Sequence, residues 1–138
     1  MVIENTDSDF QWAIRVYFED TDAGGIVYHA QYLHFLERAR TEWLRNLGFN
    51  QSDLQKQDII FVVRDMNIKW INPAKLDDEL IVDVTIEKTK NASLIMQQTI
   101  FCGEIKKLSA QVTIACLNSK TMKPVAIPAN IKQPVSAA

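Results

Sequence analysis

Between about Tyr28 and Leu47 the apolar residues of this chain recur every three or four positions, whereas on either side they recur every second one. Set at 100° per residue, Tyr32, Phe35, Leu36, Ala39, Trp43 and Leu47 form the centre of one helix face, with Leu33 and Leu44 at its edge. His34, Arg38, Thr41 and Arg45 fall opposite. The pattern predicts a helix starting between Tyr28 and Gln31 and stopped at Gly48, with Arg45 well placed in its last turn. Arg40 falls inside the apolar arc and needs a partner, because an unpaired buried charge is costly. Glu37, three residues earlier, is the expected one.

Before this helix, Trp12, Ile14, Val16 and Phe18 alternate with Ala13, Arg15, Tyr17 and Glu19, the pattern of a half-buried strand. Residues 51–57 add a helical turn. From Ile59 onward the period is two. Val62, Arg64, Met66, Ile68 and Trp70 share one face of a long strand that ends at Asn72-Pro73-Ala74. The next three strands carry Leu80 to Ile86, Leu94 to Cys102 and Leu108 to Cys116 on their apolar faces. A strand, a long helix and four strands joined by short turns imply an α+β domain with a mostly antiparallel sheet. One apolar helix stripe covers one face of that sheet. The other face (Thr85, Gln97, Thr99, Gln111, Thr113) is semi-polar, open to solvent or to assembly. No repeat or linker divides residues 1–138, so one domain is expected, frayed over 1–9 and irregular from about 124.

At 138 residues and 47% hydrophobic, the chain can bury a substantial core. A net charge of -2 favours neither nucleic acid nor an anionic membrane surface as partner. The polar, acidic start lacks the pattern of a signal peptide, and no apolar run approaches the roughly 20 residues that span a bilayer. Cys102 and Cys116 lie in apolar strand patterns and read as buried free thiols, which with the other signs predicts a cytoplasmic protein.

The chemistry concentrates in Asp20-Thr21-Asp22-Ala23-Gly24-Gly25, followed shortly by His29. A calcium loop of EF-hand type is excluded, since its fifth and twelfth positions would be Gly24 and Gln31. Zinc is excluded as well, because His29 and His34 do not share a helix face and no cysteine is near. Neither a phosphate-binding Gly-Lys-Ser/Thr motif nor a serine nucleophile elbow is present. Acyl transfer is the stronger reading, since it takes a base or nucleophile, a donor for the developing oxyanion and a walled site. Asp22 can act as nucleophile or general base, and the free N–H groups of the helix start, around His29 and Ala30, can hold a developing oxyanion. Taken singly, each residue also has an ordinary reading. Asp20 and Asp22 suit a turn, His29 a helix start, Glu37 and Arg40 a structural ion pair, and Lys88 and Lys90 a solvated turn.

The stretch YFEDTDAGGIVYHAQYLHFLERARTEWLR resembles the signature of the 4-hydroxybenzoyl-CoA thioesterase type of hot-dog enzymes, and most of all the bacterial Tol–Pal-associated acyl-CoA thioesterases. The resemblance is dense from Arg15 to Leu47 and looser to about Ile127. It implies a hot-dog fold, an antiparallel five-stranded sheet wrapped around one long central helix. It also implies homodimers or homotetramers with active sites at the dimer interface, and no metal or other cofactor. By position Asp22 corresponds to the catalytic carboxylate, with His29 beside the thioester and the N–H there as carbonyl donor. Asp20 orients the loop. Tyr17, Gly25 and Tyr28 shape the substrate pocket, and Lys88 and Lys90 fall near where related enzymes bind coenzyme A phosphates. Ala23, in place of the proline of the hydroxybenzoyl branch, and the fewer positive charges of the Lys88–Lys90 turn argue against 4-hydroxybenzoyl-CoA; by resemblance the expected substrate is a short aliphatic acyl-CoA. The rival reading is a non-catalytic module that binds acyl-CoA or acyl carrier protein, as a partner of envelope or lipid-synthesis proteins.

Overall fold

The structure is a computed structural model describing residues 9–131, so the expectations for the first residues and the last part of the tail lie outside the described residues. Strand β1 (Phe10–Arg15) leads into a loop and then helix α1 (Gln31–Asn46), followed by a short helix α2 (Gln51–Lys56). Four strands complete the domain: β2 (Ile59–Trp70), β3 (Glu79–Thr89), β4 (Ser93–Cys102) and β5 (Ile105–Asn118). They form one antiparallel sheet in the order β1-β3-β4-β5-β2. The chain therefore crosses from one sheet edge to the other through α1, which lies against the sheet, as the hot-dog arrangement requires.

The predicted helix face is the buried one: Tyr32, Phe35, Leu36, Ala39, Trp43 and Leu44 pack against Leu80, Val82, Met96, Ile100, Leu108 and Val112. Burying each such side chain contributes roughly 1.5–3 kcal/mol, so this layer supplies most of the drive to fold. Asn50 caps α2 by accepting the Asp53 N–H at 2.8 Å, and Leu54 anchors it in the core.

Two expectations are corrected. First, β1 ends at Arg15, and Phe18 begins a 3-10 turn that leaves its ring 81% exposed rather than on the inner face. Second, the pairing of β2 with β5 slips between Val63 and Asp65. A bulge reverses the side-chain alternation, so Phe61 and Val63, not Val62 and Arg64, share the inner face with Met66, Ile68 and Trp70. The segment after Met122 is irregular. It meets β5 through Val125 N–H to Cys116 O (3.0 Å) and the β3–β4 turn through Ile127 N–H to Asn91 O (2.8 Å), and it buries Ile127 and Ile131.

Arg40 finds a different partner from the one its spacing suggested. Its Nη1 donates to Gln98 Oε1 at 2.9 Å, and Gln98 Nε2 donates to the Leu36 carbonyl at 2.9 Å. Gln98 is fully buried on β4. Burial lowers the Arg40 pKa from its ordinary value, and the Glu37 charge opposes that shift from a distance. One amide thus ties the middle of α1 to the centre of the sheet. Replacing Gln98 with Leu removes both bonds and leaves a buried guanidinium and a carbonyl behind. It should cost about 1–3 kcal/mol in urea unfolding, and adding Arg40→Leu should recover part of that loss.

Candidate active site

The acidic loop is a small hairpin. Tyr28 N–H donates to Asp20 O (3.1 Å), Thr21 bridges Val27, and Asp22 N–H donates to Ile26 O (2.9 Å). Gly25 N–H closes the turn on Asp22 O at 3.0 Å, with Gly25 at φ +80°. This is a turn followed by a left-handed residue, a geometry that glycine adopts without strain. The Asp22 side chain is exposed, and its Oδ1 accepts the Gly24 N–H at 2.8 Å. Asp20 is the opposite case. Only 5% exposed, it accepts Tyr17 N–H on Oδ2 and Gln31 Nε2 on Oδ1, both at 2.8 Å, pinning the hairpin to the first residue of α1.

The second arm of the hairpin pairs with the chain that follows β2. Val27 N–H donates to Ala74 O (2.8 Å), Ile26 bridges Lys75, and Ala74 N–H donates to the buried Tyr32 hydroxyl at 3.0 Å. That burial raises the Tyr32 pKa, so the hydroxyl stays protonated. Between these segments lies a cavity of about 220 Å³, walled by Ile26, Val27, His29, Tyr32, Trp70, Ile71, Asn72 and Pro73.

The start of α1 opens beside it. Gln31 N–H folds back on Tyr28 O at 2.8 Å, which leaves His29 and Ala30 in the centre of a turn just ahead of the helix. Among the described residues neither of their N–H groups meets an acceptor. Ala30 stands at the cap position, no side chain caps the helix, and its first turn holds no acid. Leaving a helix start bare costs about 1 kcal/mol relative to a Ser or Asp cap, and it keeps the positive end of the helix available to an oxyanion.

Among the predicted site residues, Tyr17, Asp22, Gly25, Tyr28 and His29 are brought to one end of the molecule. Tyr17 and Tyr28 are 60% and 50% exposed, and the Tyr28 ring lies 4.6 Å from the His29 ring. Lys88 and Lys90 are not brought there. The loop meets the Glu79 end of β3 through Val16 N–H to Asp78 O (2.9 Å), whereas the two lysines sit at the far end of that strand. At about 3.3 Å per residue this separates them by roughly 30 Å within one chain. Asp22 itself lies next to the cavity without lining it. A larger cavity, about 310 Å³, lies between the later turns of α1 and the first half of β2, away from the acidic loop. Its size alone gives it no chemistry. Among the described residues no cluster of His, Cys, Asp or Glu could hold a metal ion.

Trp70 is the residue that sequence reasoning missed as part of the site. Its ring meets His29 edge to face at 6.2 Å, and it is half exposed at the end of β2. The signal available was a tryptophan two residues before Asn72-Pro73.

A strand, an acid-bearing hairpin, a bare helix start and a sheet wrapped on that helix define a hot-dog hydrolase scaffold, and sequence relationships agree. The signature of the thioesterase-like superfamily matches residues 16–135, and the chain belongs to that family. It is 46% identical over 127 residues to an acyl-CoA thioesterase, YbgC, of Haemophilus influenzae, covering 91% of this chain and 93% of that protein. An acyl-CoA thioester hydrolase, YbgC, of Escherichia coli O6:H1 is 46% identical over 123 residues, covering 88% and 92%. The crystal structure of a probable thioesterase from Bartonella henselae superposes with a TM-score of 0.82 at 40% identity, covering 86% of this chain and 98% of that one.

Asp20→Ala should destabilise the fold by about 1–3 kcal/mol in denaturant unfolding, because two donors lose their shared acceptor in a site closed to water. Gly25→Ala should cost about 1 kcal/mol from its left-handed backbone alone, since the space around it is open.

Proposed function

We propose that the protein hydrolyses acyl-CoA thioesters, releasing coenzyme A and a carboxylic acid. The observation that carries this reading is the bare start of α1 beside the Asp22 hairpin, with free N–H groups at His29 and Ala30. The thioester carbonyl accepts from one of these amides, and the positive end of α1 stabilises the charge that develops on its oxygen. Asp22 then acts in one of two ways. As nucleophile it bonds to the carbonyl carbon, expels the coenzyme A thiolate and leaves an anhydride for water to cleave. As general base it takes a proton from water, and the water oxygen forms that bond instead. The His29 ring, held between Tyr28 and Trp70, positions water or returns a proton to the departing thiolate. The relatives named YbgC support the substrate class.

The cavity beside His29, at about 220 Å³, is smaller than the usual 300–1,000 Å³ of a small-molecule site. That volume supports two refinements: a short aliphatic acyl group, and an active site completed by a second copy. β2 is the long free edge of the sheet, with Val63 and Trp70 exposed. Two copies pairing antiparallel along β2 would set the Trp70 end of one beside the Ile59 end of the other. The 310 Å³ cavity of one subunit would then adjoin the His29 cavity of its partner. A homodimer built this way, or a tetramer made from two of them, is the assembly we infer. The same arrangement leaves Lys88 and Lys90 a role only across subunits. Unpaired Cys102 and Cys116 support a cytoplasmic setting, and among the described residues no helix is long and apolar enough to cross a membrane.

Thiol release from a panel of acyl-CoA chain lengths tests the reading, and absence of turnover across the panel would favour a non-catalytic module that binds acyl-CoA or acyl carrier protein. Asp22→Asn should lower kcat at least about 100-fold, on the order of 3 kcal/mol of transition-state stabilisation, while leaving the fold intact because an amide oxygen can still accept the Gly24 N–H. His29→Ala should be milder, since its backbone N–H survives. Wild-type turnover in Asp22→Asn would refute the assignment.

A further inference from the structure

A phenol buried in an apolar wall has one proton and two lone pairs to satisfy. Tyr32, in the first turn of α1, is 3% exposed. Long helical side chains lean back toward the helix start. This one reaches the Pro73–Ala74 peptide, where its oxygen accepts the Ala74 N–H at 3.0 Å. Its ring is held edge to face against Phe35 at 6.0 Å, so the hydroxyl has little room to withdraw. Burial raises its pKa, the Ala74 N–H pulls it back by less, and the Asp78 charge adds to the rise. The oxygen therefore keeps its proton at neutral pH. Among the described residues no acceptor meets that proton.

The same residue walls the cavity beside His29, whose other walls are mostly apolar: Ile26, Val27, Trp70, Ile71 and Pro73. Asn72 directs its side-chain amide to Lys106 O (3.0 Å) and its N–H to Lys107 O (3.1 Å). That leaves Tyr32 and His29 to donate to an occupant. Asp22 adjoins the cavity without lining it, so attack on the carbonyl belongs to the mouth, and what passes Tyr32 is the acyl chain. An occupant that covers a buried donor and offers it no acceptor is penalised. One that brings an oxygen, or leaves a water in place, is not.

We propose that Tyr32 determines which acyl groups the cavity admits. Chains that set an oxygen substituent at its hydroxyl, or stop short enough to leave a water there, are accepted; alkyl chains that cover it are rejected. The inference rests on the acyl-CoA reading above and narrows its substrate to short acyl groups, with hydroxy or oxo substituents favoured as the chain lengthens.

The test compares straight-chain acyl-CoA thioesters of rising length with their 3-hydroxy counterparts. In the wild type kcat/KM should fall about tenfold or more once the alkyl chain covers the hydroxyl, and the 3-hydroxy group should restore it. Tyr32→Phe should abolish that preference, with urea unfolding as the check on folding, because the Ala74 N–H also loses its acceptor. Tyr32→3-fluorotyrosine separates donor from scaffold. Fluorine makes the hydroxyl a stronger donor and a weaker acceptor, so preference for hydroxylated chains should rise, whereas a purely structural tyrosine would leave it unchanged. The proposal falls if the wild type takes long alkyl chains as readily as hydroxylated ones, if folded Tyr32→Phe lowers all chains alike, or if the fluorinated protein keeps the wild-type preference. Calorimetry with non-hydrolysable thioether analogues repeats the comparison without turnover. A wild type that hydrolyses no thioester yet shows this Tyr32-dependent preference in binding would refute the hydrolase reading and leave this one standing.

Discussion

The buried amide of Gln98 fixes everything else in this molecule. It sits in the middle of the central strand β4, with no exposure to water, and gives one hydrogen bond to the backbone of α1 and accepts another from Arg40. Apolar packing between a helix and a sheet is tolerant of sliding, because dispersion and hydrophobic burial have no direction. A fully buried amide is intolerant, since a missed bond costs about as much as several methylene groups. The Arg40–Gln98–Leu36 link therefore sets where along the sheet the helix stops and starts. The position of the helix start in turn decides where the N–H groups of His29 and Ala30 stand.

A second polar anchor does the same for the loop. Asp20, buried beneath the hairpin, joins Tyr17 to Gln31 and so couples the end of β1 to the first residue of α1. The two aspartates of one short motif divide their tasks by burial: Asp20 spends both oxygens on structure, while Asp22 keeps one oxygen without a partner among the described residues. The bare helix start completes the arrangement. Its missing cap is a small loss of stability that leaves the positive end of α1 without a side-chain partner.

Much of this was readable from residue spacing. The helix face from Tyr32 to Leu44 and the inner faces of β3, β4 and β5 followed from side-chain period alone, because each lies within one regular element. Asp22, Gly25 and His29 stood out because two acids, two glycines and a histidine so close together exceed what a turn needs. The failures share another cause. The bulge after Val63 and the outward turn of Phe18 are single-residue changes of backbone phase, which alternation cannot register. Glu37 stood at helical spacing from Arg40, but Gln98, 58 residues away, is the acceptor that meets it in space.

The sequence by itself determined which segments are helix and strand, which faces are apolar, and which short motif carries the carboxylate, because periodicity and turn chemistry are local. Only the tertiary structure decided that Trp70 and Pro73 wall the cavity beside His29. It alone separated Lys88 and Lys90 from that end. Those facts depend on strand order and register, β5 lying between β4 and β2, and such pairings join residues far apart in the chain through contacts that no local pattern encodes.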